Sequence, residues 1–155
     1  NHLSTMDSIK WHNKLLEHFI KNKEYDFIWK DVSFFQSVDN TMFLKIKSQN
    51  PSNVFHESKP LRKYLSKVDR IICDLSSTGF FESIFYGKPV ITFFDQSKDL
   101  VQDKAKNVLG NSLRNASSID QKLKLIDNFL IEPPEKYIVK LPRVKNQVLE
   151  IINKN

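Results

Sequence analysis

Apolar residues recur along this chain in two rhythms, one near 3.6 residues and one as short unbroken runs, and their alternation predicts helices interleaved with buried strands. The 3.6-residue rhythm is clearest in residues 7–22, where Ile9, Leu15, Leu16, Phe19 and Ile20 form a stripe that Trp11 joins at its edge. Ser4, Thr5 or Asp7 can cap that helix. Residues 25–29 are a short aromatic and β-branched run that predicts a strand ending at Lys30. Met42, Phe43, Leu44 and Ile46 favour a helix within residues 33–50, capped by Asp39 or Asn40 and ended by Pro51-Ser52, over the alternative of a strand from which Lys45 and Lys47 would alternate outward. Residues 53–56 then predict a second strand, and residues 59–65 a helix with Pro60 near its first position and Leu61, Tyr64 and Leu65 turned to the sheet.

The densest signal lies in residues 68–94. Ile71, Ile72 and Cys73 form an apolar run inside a strand predicted over residues 70–75. The polar turn Ser76-Ser77-Thr78-Gly79 follows, then a short amphipathic helix over residues 80–86 that Gly87 stops, with Pro89 just beyond. Residues 90–94 are a second apolar, β-branched and aromatic run. Strand, turn, helix and strand make a βαβ unit, which requires neighbouring parallel strands in a covered sheet. Downstream, residues 98–107 predict a helix and residues 109–113 a turn. Ser117 or Ser118 can cap a helix carrying Leu123, Leu125, Ile126, Phe129 and Leu130, and Pro133-Pro134 breaks it. Val148, Leu149, Ile151 and Ile152 fall at helical spacing within residues 144–152. The fold class predicted is α/β, a Rossmann-like three-layer αβα sandwich with a parallel sheet, in a single domain spanning residues 1–155.

Composition narrows the function classes. Twelve Phe and two Trp with 40% hydrophobic residues describe a packed globule, not a disordered chain. The single cysteine, Cys73, excludes a disulfide framework and reads as a small buried apolar residue. His2, His12 and His18 have no cysteine or acid pair at zinc-like spacing, so no metal is expected. No apolar run reaches membrane-span length, and the first residues lack the charged and apolar regions of a signal peptide, which predicts a cytoplasmic protein. A net charge of +6 raises nucleic-acid binding, but the lysines are spread through nearly every segment and no helix gathers basic residues on one face beside exposed aromatics. The same positive field favours an anionic nucleotide or an acidic membrane surface as partner.

Candidate chemistry centres on the serine turn. Three hydroxyls and a glycine sit where a strand's carboxyl end meets a helix amino terminus, where free amides and the helix dipole favour an anion, phosphate above all. Gly79 lets a ligand approach the backbone closely. The structural alternative is that Ser77 or Thr78 merely caps the helix, with Glu82 near the capping-box position. Lys30, at the carboxyl end of its strand, lies on the edge where ligands collect in open α/β sheets.

The run Asp74-Leu75-Ser76-Ser77-Thr78-Gly79, followed by Glu82 and Gly87-Lys88-Pro89-Val90, resembles the donor-binding motif of GT-B glycosyltransferases. It is most similar to the capsule-polysaccharide and teichoic-acid glycerophosphotransferase type. The resemblance covers about thirty residues strongly. It implies that Ser76, Ser77, Thr78, Gly79 and Lys30 hold a donor diphosphate and that Glu82 binds ribose or sugar hydroxyls. Phe55, His56 and Glu57, in the loop region that borders the base in such domains, become base-pocket candidates. The His-Pro pair that often follows the lysine in those families is absent, since Lys30 is followed by Asp31-Val32. The implied donor is UDP-, CDP- or similarly linked, with no obligatory metal and no other cofactor. A further implied partner is an amino-terminal acceptor half. Two alternatives stand beside this reading: a nucleotide-sugar 2-epimerase-like half, weakened because Ser83 follows Glu82 where a second acid is usual, and a non-catalytic interaction module with a vestigial site. A phosphoacceptor signalling domain needs clustered acids at strand ends, and Asp74 stands alone.

Overall fold

The computed structural model of the chain describes residues 5–30 and 41–140. Five helices and five strands follow one another through these residues, alternating except where β3 follows β2: α1 (Thr5–Lys21), β1 (Phe27–Lys30), α2 (Thr41–Gln49), β2 (Val54–Glu57), β3 (Ile71–Ile72), α3 (Thr78–Phe85), β4 (Val90–Phe94), α4 (Asp103–Leu109), β5 (Leu113–Asn115) and α5 (Ile119–Ile131). Every strand pairing is parallel, and α2, α3 and α4 each occupy a crossover between paired strands, because parallel neighbours cannot be joined by a tight hairpin. The α/β class predicted from the sequence is therefore present, in a form compatible with a Rossmann-like sandwich. Hydrogen bonding divides the strands into a two-stranded sheet, β1-β2, and a three-stranded sheet, β3-β4-β5. The chain also divides into two compact units, the residues up to Lys67 with Ser118–Lys124, and Val68–Ser117 with the residues from Leu125 onward.

In the first unit, α1 buries Trp11, Leu15, Leu16 and Phe19, the i, i+4, i+5, i+8 stripe of an amphipathic helix. Phe19 stacks on Phe27 of β1 with centroids 4.0 Å apart and meets Trp29 edge-on. Lys122 lies 4.8 Å over the Trp11 ring. The end of α1 is fastened by Asn53, whose buried amide donates to the carbonyls of Phe19 and Asn22 at 2.8 Å each. The Phe19 carbonyl also receives the Asn22 amide at 3.1 Å, and the one side chain immediately before β2 adds a donor to both carbonyls where the helix's own donors run out. Residues 59–65, predicted as a helix, form only a 3₁₀ turn at Leu61–Lys63, with Tyr64 and Leu65 buried behind it and Leu61 partly covered.

In the second unit β4 is central, and Val90, Ile91, Thr92 and Phe93 are buried, as expected of a parallel strand covered on both faces. Phe80, Ser83 and Ile84 of α3 are buried as well; full burial of a side chain like Phe80 is worth about 1.5–3 kcal/mol. Gly87 stops α3 at φ +67°, with its amide bonded to Ile84 O and the Lys88 amide to Ser83 O. That is the paired bonding of a Schellman cap, and it needs a left-handed residue. The strand predicted over residues 70–75 shrinks to Ile71–Ile72, although the Cys73 amide still bonds Ile91 O at 2.9 Å.

Two further differences follow β4. Asp95 captures both the amide and the hydroxyl of Ser97, closing a turn where residues 98–107 predict helix, so α4 begins only at Asp103. Residues 109–113, predicted as a turn, supply a 3₁₀ turn at Gly110–Ser112 and the first residue of β5. The helix expected after Ser117 is α5, capped by Ser118, whose hydroxyl accepts the Gln121 amide at 3.2 Å. Arg70 spans the far end of α5, donating to the carbonyls of Phe129 and Glu132 while stacking on the Phe129 ring. The helical pattern in residues 144–152 and the cap candidates Ser4, Asp39 and Asn40 lie outside the described residues.

Candidate functional site

Parallel pairing fixes one edge of each sheet as the carboxyl edge, where ligands gather in α/β proteins. In the second unit that edge carries the turn after β3, residues 76–79, and the turn after β4, residues 95–99. Ser76, Ser77 and Thr78 are exposed and Gly79 is half-buried, so no packed side chain of the described residues roofs the serine turn.

Ser77 stands at the N-cap of α3 with φ −91° and ψ 179°, yet its hydroxyl makes no capping bond. Its carbonyl instead receives the amides of Phe80 and Phe81 at 3.0 and 3.3 Å. Nor is there a capping box. The third helical position is Phe80, and Glu82 lies two residues further along. The hydroxyls that the sequence places in this turn are thus not consumed in holding the helix. Not every donor is free, because the Ser77 amide bonds the Leu75 carbonyl at 2.7 Å. Thr78 and Gly79, the first two helical residues, carry amides with no carbonyl one turn earlier to receive them. Two amides at the positive end of a helix dipole and three unconsumed hydroxyls suit an oxyanion.

Glu82 is half-buried and lies four residues after Thr78, hence on the same face of α3. Ser83, immediately after it, is fully buried and donates to the Gly79 carbonyl at 2.6 Å. The residue that follows Glu82 is therefore a packing residue. Cys73 is half-buried, and burial, with the neighbouring Asp74 carboxylate, pushes its thiol up to about 12; the thiolate needed for nucleophilic chemistry is not formed near neutral pH.

The remaining candidates belong to the first unit. Register places Lys30 opposite Glu57, Trp29 opposite His56, and Ile28 opposite Phe55. Since side chains alternate across a strand, Lys30, Glu57, Ile28 and Phe55 share one face while His56 turns to the other. His56 lies against Phe43, with ring centroids 4.9 Å apart. Phe55, by contrast, is 48% exposed. The three residues proposed for a base pocket are thus split between two faces of the sheet. Tyr64 donates its phenol to the Glu57 carboxylate at 2.5 Å, and this bond, chiefly, raises the Tyr64 pKa.

The turn after β4 is a feature of the same edge as the serine turn that the sequence motif did not include. Asp95 accepts from Ser97, its own amide donates to the Asp99 carboxylate, and Asn115 accepts the Gln96 amide. The Ser97 bonds, and then Lys98 nearby, hold the Asp95 carboxyl below its ordinary range. An acid placed directly after the apolar run of residues 90–94 is the sequence signal for it. Among the described residues no three His, Cys, Asp or Glu side chains gather as a metal site, and no helix is long and apolar enough to cross a membrane. No protein-family model matches the chain, and no curated protein or solved structure is significantly similar to it.

Proposed function

We propose that this chain is the nucleotide-diphosphate-donor-binding half of a glycosyltransferase or glycerophosphotransferase that builds a cell-surface polysaccharide in the cytoplasm. The observation that carries the reading is the state of the serine turn: an N-cap serine whose hydroxyl does not cap, beside exposed Ser76 and Thr78 and the first amides of α3. In this reading the Thr78 and Gly79 amides and the hydroxyls of Ser76, Ser77 and Thr78 stabilise the charge that grows on a leaving diphosphate. Glu82, one helical turn from Thr78, accepts hydrogen bonds from ribose or sugar hydroxyls. The proposal rests on the second unit alone; Lys30, Phe55 and Glu57 form a separate set of candidates on the first.

Calorimetric titration with UDP and CDP nucleotides is the test. Wild type should bind, and the Ser76→Ala/Ser77→Ala double variant should bind at least about tenfold more weakly, the loss of roughly one charge-assisted hydrogen bond. Absence of binding by wild type, or equal binding by the double variant, removes the assignment. A second reading, a non-catalytic interaction module, is favoured by Phe81, Phe85 and Tyr86, which are 46%, 65% and 60% exposed on and just after α3. It is supported if nucleotides do not bind while Phe85→Ser abolishes a measurable self-association.

A further inference from the structure

We propose that residues 59–67 of the first unit form an electrostatic docking surface for anionic lipid headgroups. Within nine residues the sequence Lys59-Pro60-Leu61-Arg62-Lys63-Tyr64-Leu65-Ser66-Lys67 carries four cations and no acid. The structure decides where they point. Tyr64 is 8% exposed and Leu65 fully buried, so the turn is pinned by its apolar residues, and Lys59, Arg62, Lys63 and Lys67 are all exposed. Among the described residues none of the four takes part in an ion pair, in contrast to Lys14, Lys98, Lys106 and Lys136, which pair with acids three or four residues away. An acid flanks the segment two residues away on each side: Glu57 accepts the Tyr64 phenol, and the exposed Asp69 belongs to the second unit.

The geometry favours a diffuse anionic surface over a discrete anion. A built phosphate site presents backbone amides, but here those of Lys63, Tyr64 and Lys67 are spent on the carbonyls of Pro60, Leu61 and Tyr64. It also favours lipid over nucleic acid. Single strands are held by exposed rings on which bases stack, and the aromatic of this segment, Tyr64, is buried with its hydroxyl engaged. What remains is charge without shape, which is what a polybasic segment offers an anionic leaflet.

Co-sedimentation of the full chain with phosphatidylcholine vesicles containing about a third phosphatidylglycerol tests this. Binding should require the anionic lipid and weaken as salt rises from about 0.05 to 0.5 M. The Lys59→Gln/Arg62→Gln/Lys63→Gln/Lys67→Gln variant should lose binding on the order of a thousandfold, following the gain expected per basic residue near such a surface. Lys59→Arg/Lys63→Arg/Lys67→Arg should retain it. Neutralising four other exposed lysines, Lys21, Lys104, Lys124 and Lys140, should leave most binding intact. The proposal is overturned by equal binding to pure phosphatidylcholine, by equal losses in the two neutralised variants, or by tighter binding to a single-stranded oligonucleotide than to the vesicles.

Discussion

The Lys88 ammonium donates to the Val68 carbonyl at 2.8 Å, tying the residue after the Gly87 stop to the approach to β3. Parallel pairing puts this contact at the amino edge of the sheet, opposite the serine turn. Lys88 lies inside the Gly-Lys-Pro run that resembles a donor-binding motif, yet it acts here on the fold. Lys88→Met should therefore lower stability by about 1.5–3 kcal/mol, the range for a hydrogen bond from a charged group. Nucleotide affinity should not change. Denaturant titration and calorimetry on the same variant separate the two roles.

Gly87 is a backbone requirement. At φ +67° it occupies the left-handed region, and a Cβ there would meet nothing within 4 Å. The cost of Gly87→Ala is therefore conformational, about 1–2 kcal/mol, and Gly87→Asn should cost less because asparagine tolerates that region. Equal costs for the two variants would argue against this account.

Ser77 makes the opposite prediction. Substituting an ordinary N-cap serine by alanine costs typically about 1 kcal/mol. Here the hydroxyl makes no capping bond, so Ser77→Ala should shift stability by less than about 0.5 kcal/mol. A cap-sized loss in denaturant titration would mean that the hydroxyl serves the helix after all.

Thr92 is fully buried in β4, and its hydroxyl has no hydrogen-bond partner among the described residues. An unsatisfied buried hydroxyl carries a desolvation penalty, so Thr92→Val, close in shape, should stabilise the protein by about 1 kcal/mol. A lower unfolding midpoint would reveal a partner for that oxygen.

Glu132 and Tyr137 set limits at both ends of the pH scale, joined by a 2.6 Å bond from the phenol to the carboxylate. Burial and then this bond push Tyr137 up to about 12, above the ordinary 10.0. Its contribution is fully present below pH 10.0 and lost as pH rises through about 12. The same bond, with Lys136 next, holds Glu132 below its ordinary 4.5. That contribution is present above pH 4.5 and lost as pH falls through the lower folded value. Tyr137→Phe should flatten both limbs of a plot of stability against pH, and ultraviolet titration of the phenolates should lose its last step.

The elements written in local pattern were legible in the sequence. The stripe of α1, the run of β4 and the Gly87 stop each follow from spacing or from one residue's conformational freedom. Residues 113–115 were not, because Leu113-Arg114-Asn115 has no β signature of its own and becomes a strand by pairing with Thr92, Phe93 and Phe94. Likewise, residues 98–107 carry a helical pattern, but Asp95 closes a turn first.

The candidate site divides along the same line. Sequence alone determined that hydroxyls and a glycine would stand where a strand meets a helix, because a βαβ unit is a local object of about thirty residues. Only tertiary structure decided which residues face one another. Register set Lys30 beside Glu57 and turned His56 away from Phe55, and Arg70 reached carbonyls 59 and 62 residues along the chain. Periodicity reports which side of an element is apolar; the neighbour across that side depends on contacts between segments distant in sequence, which no local pattern encodes.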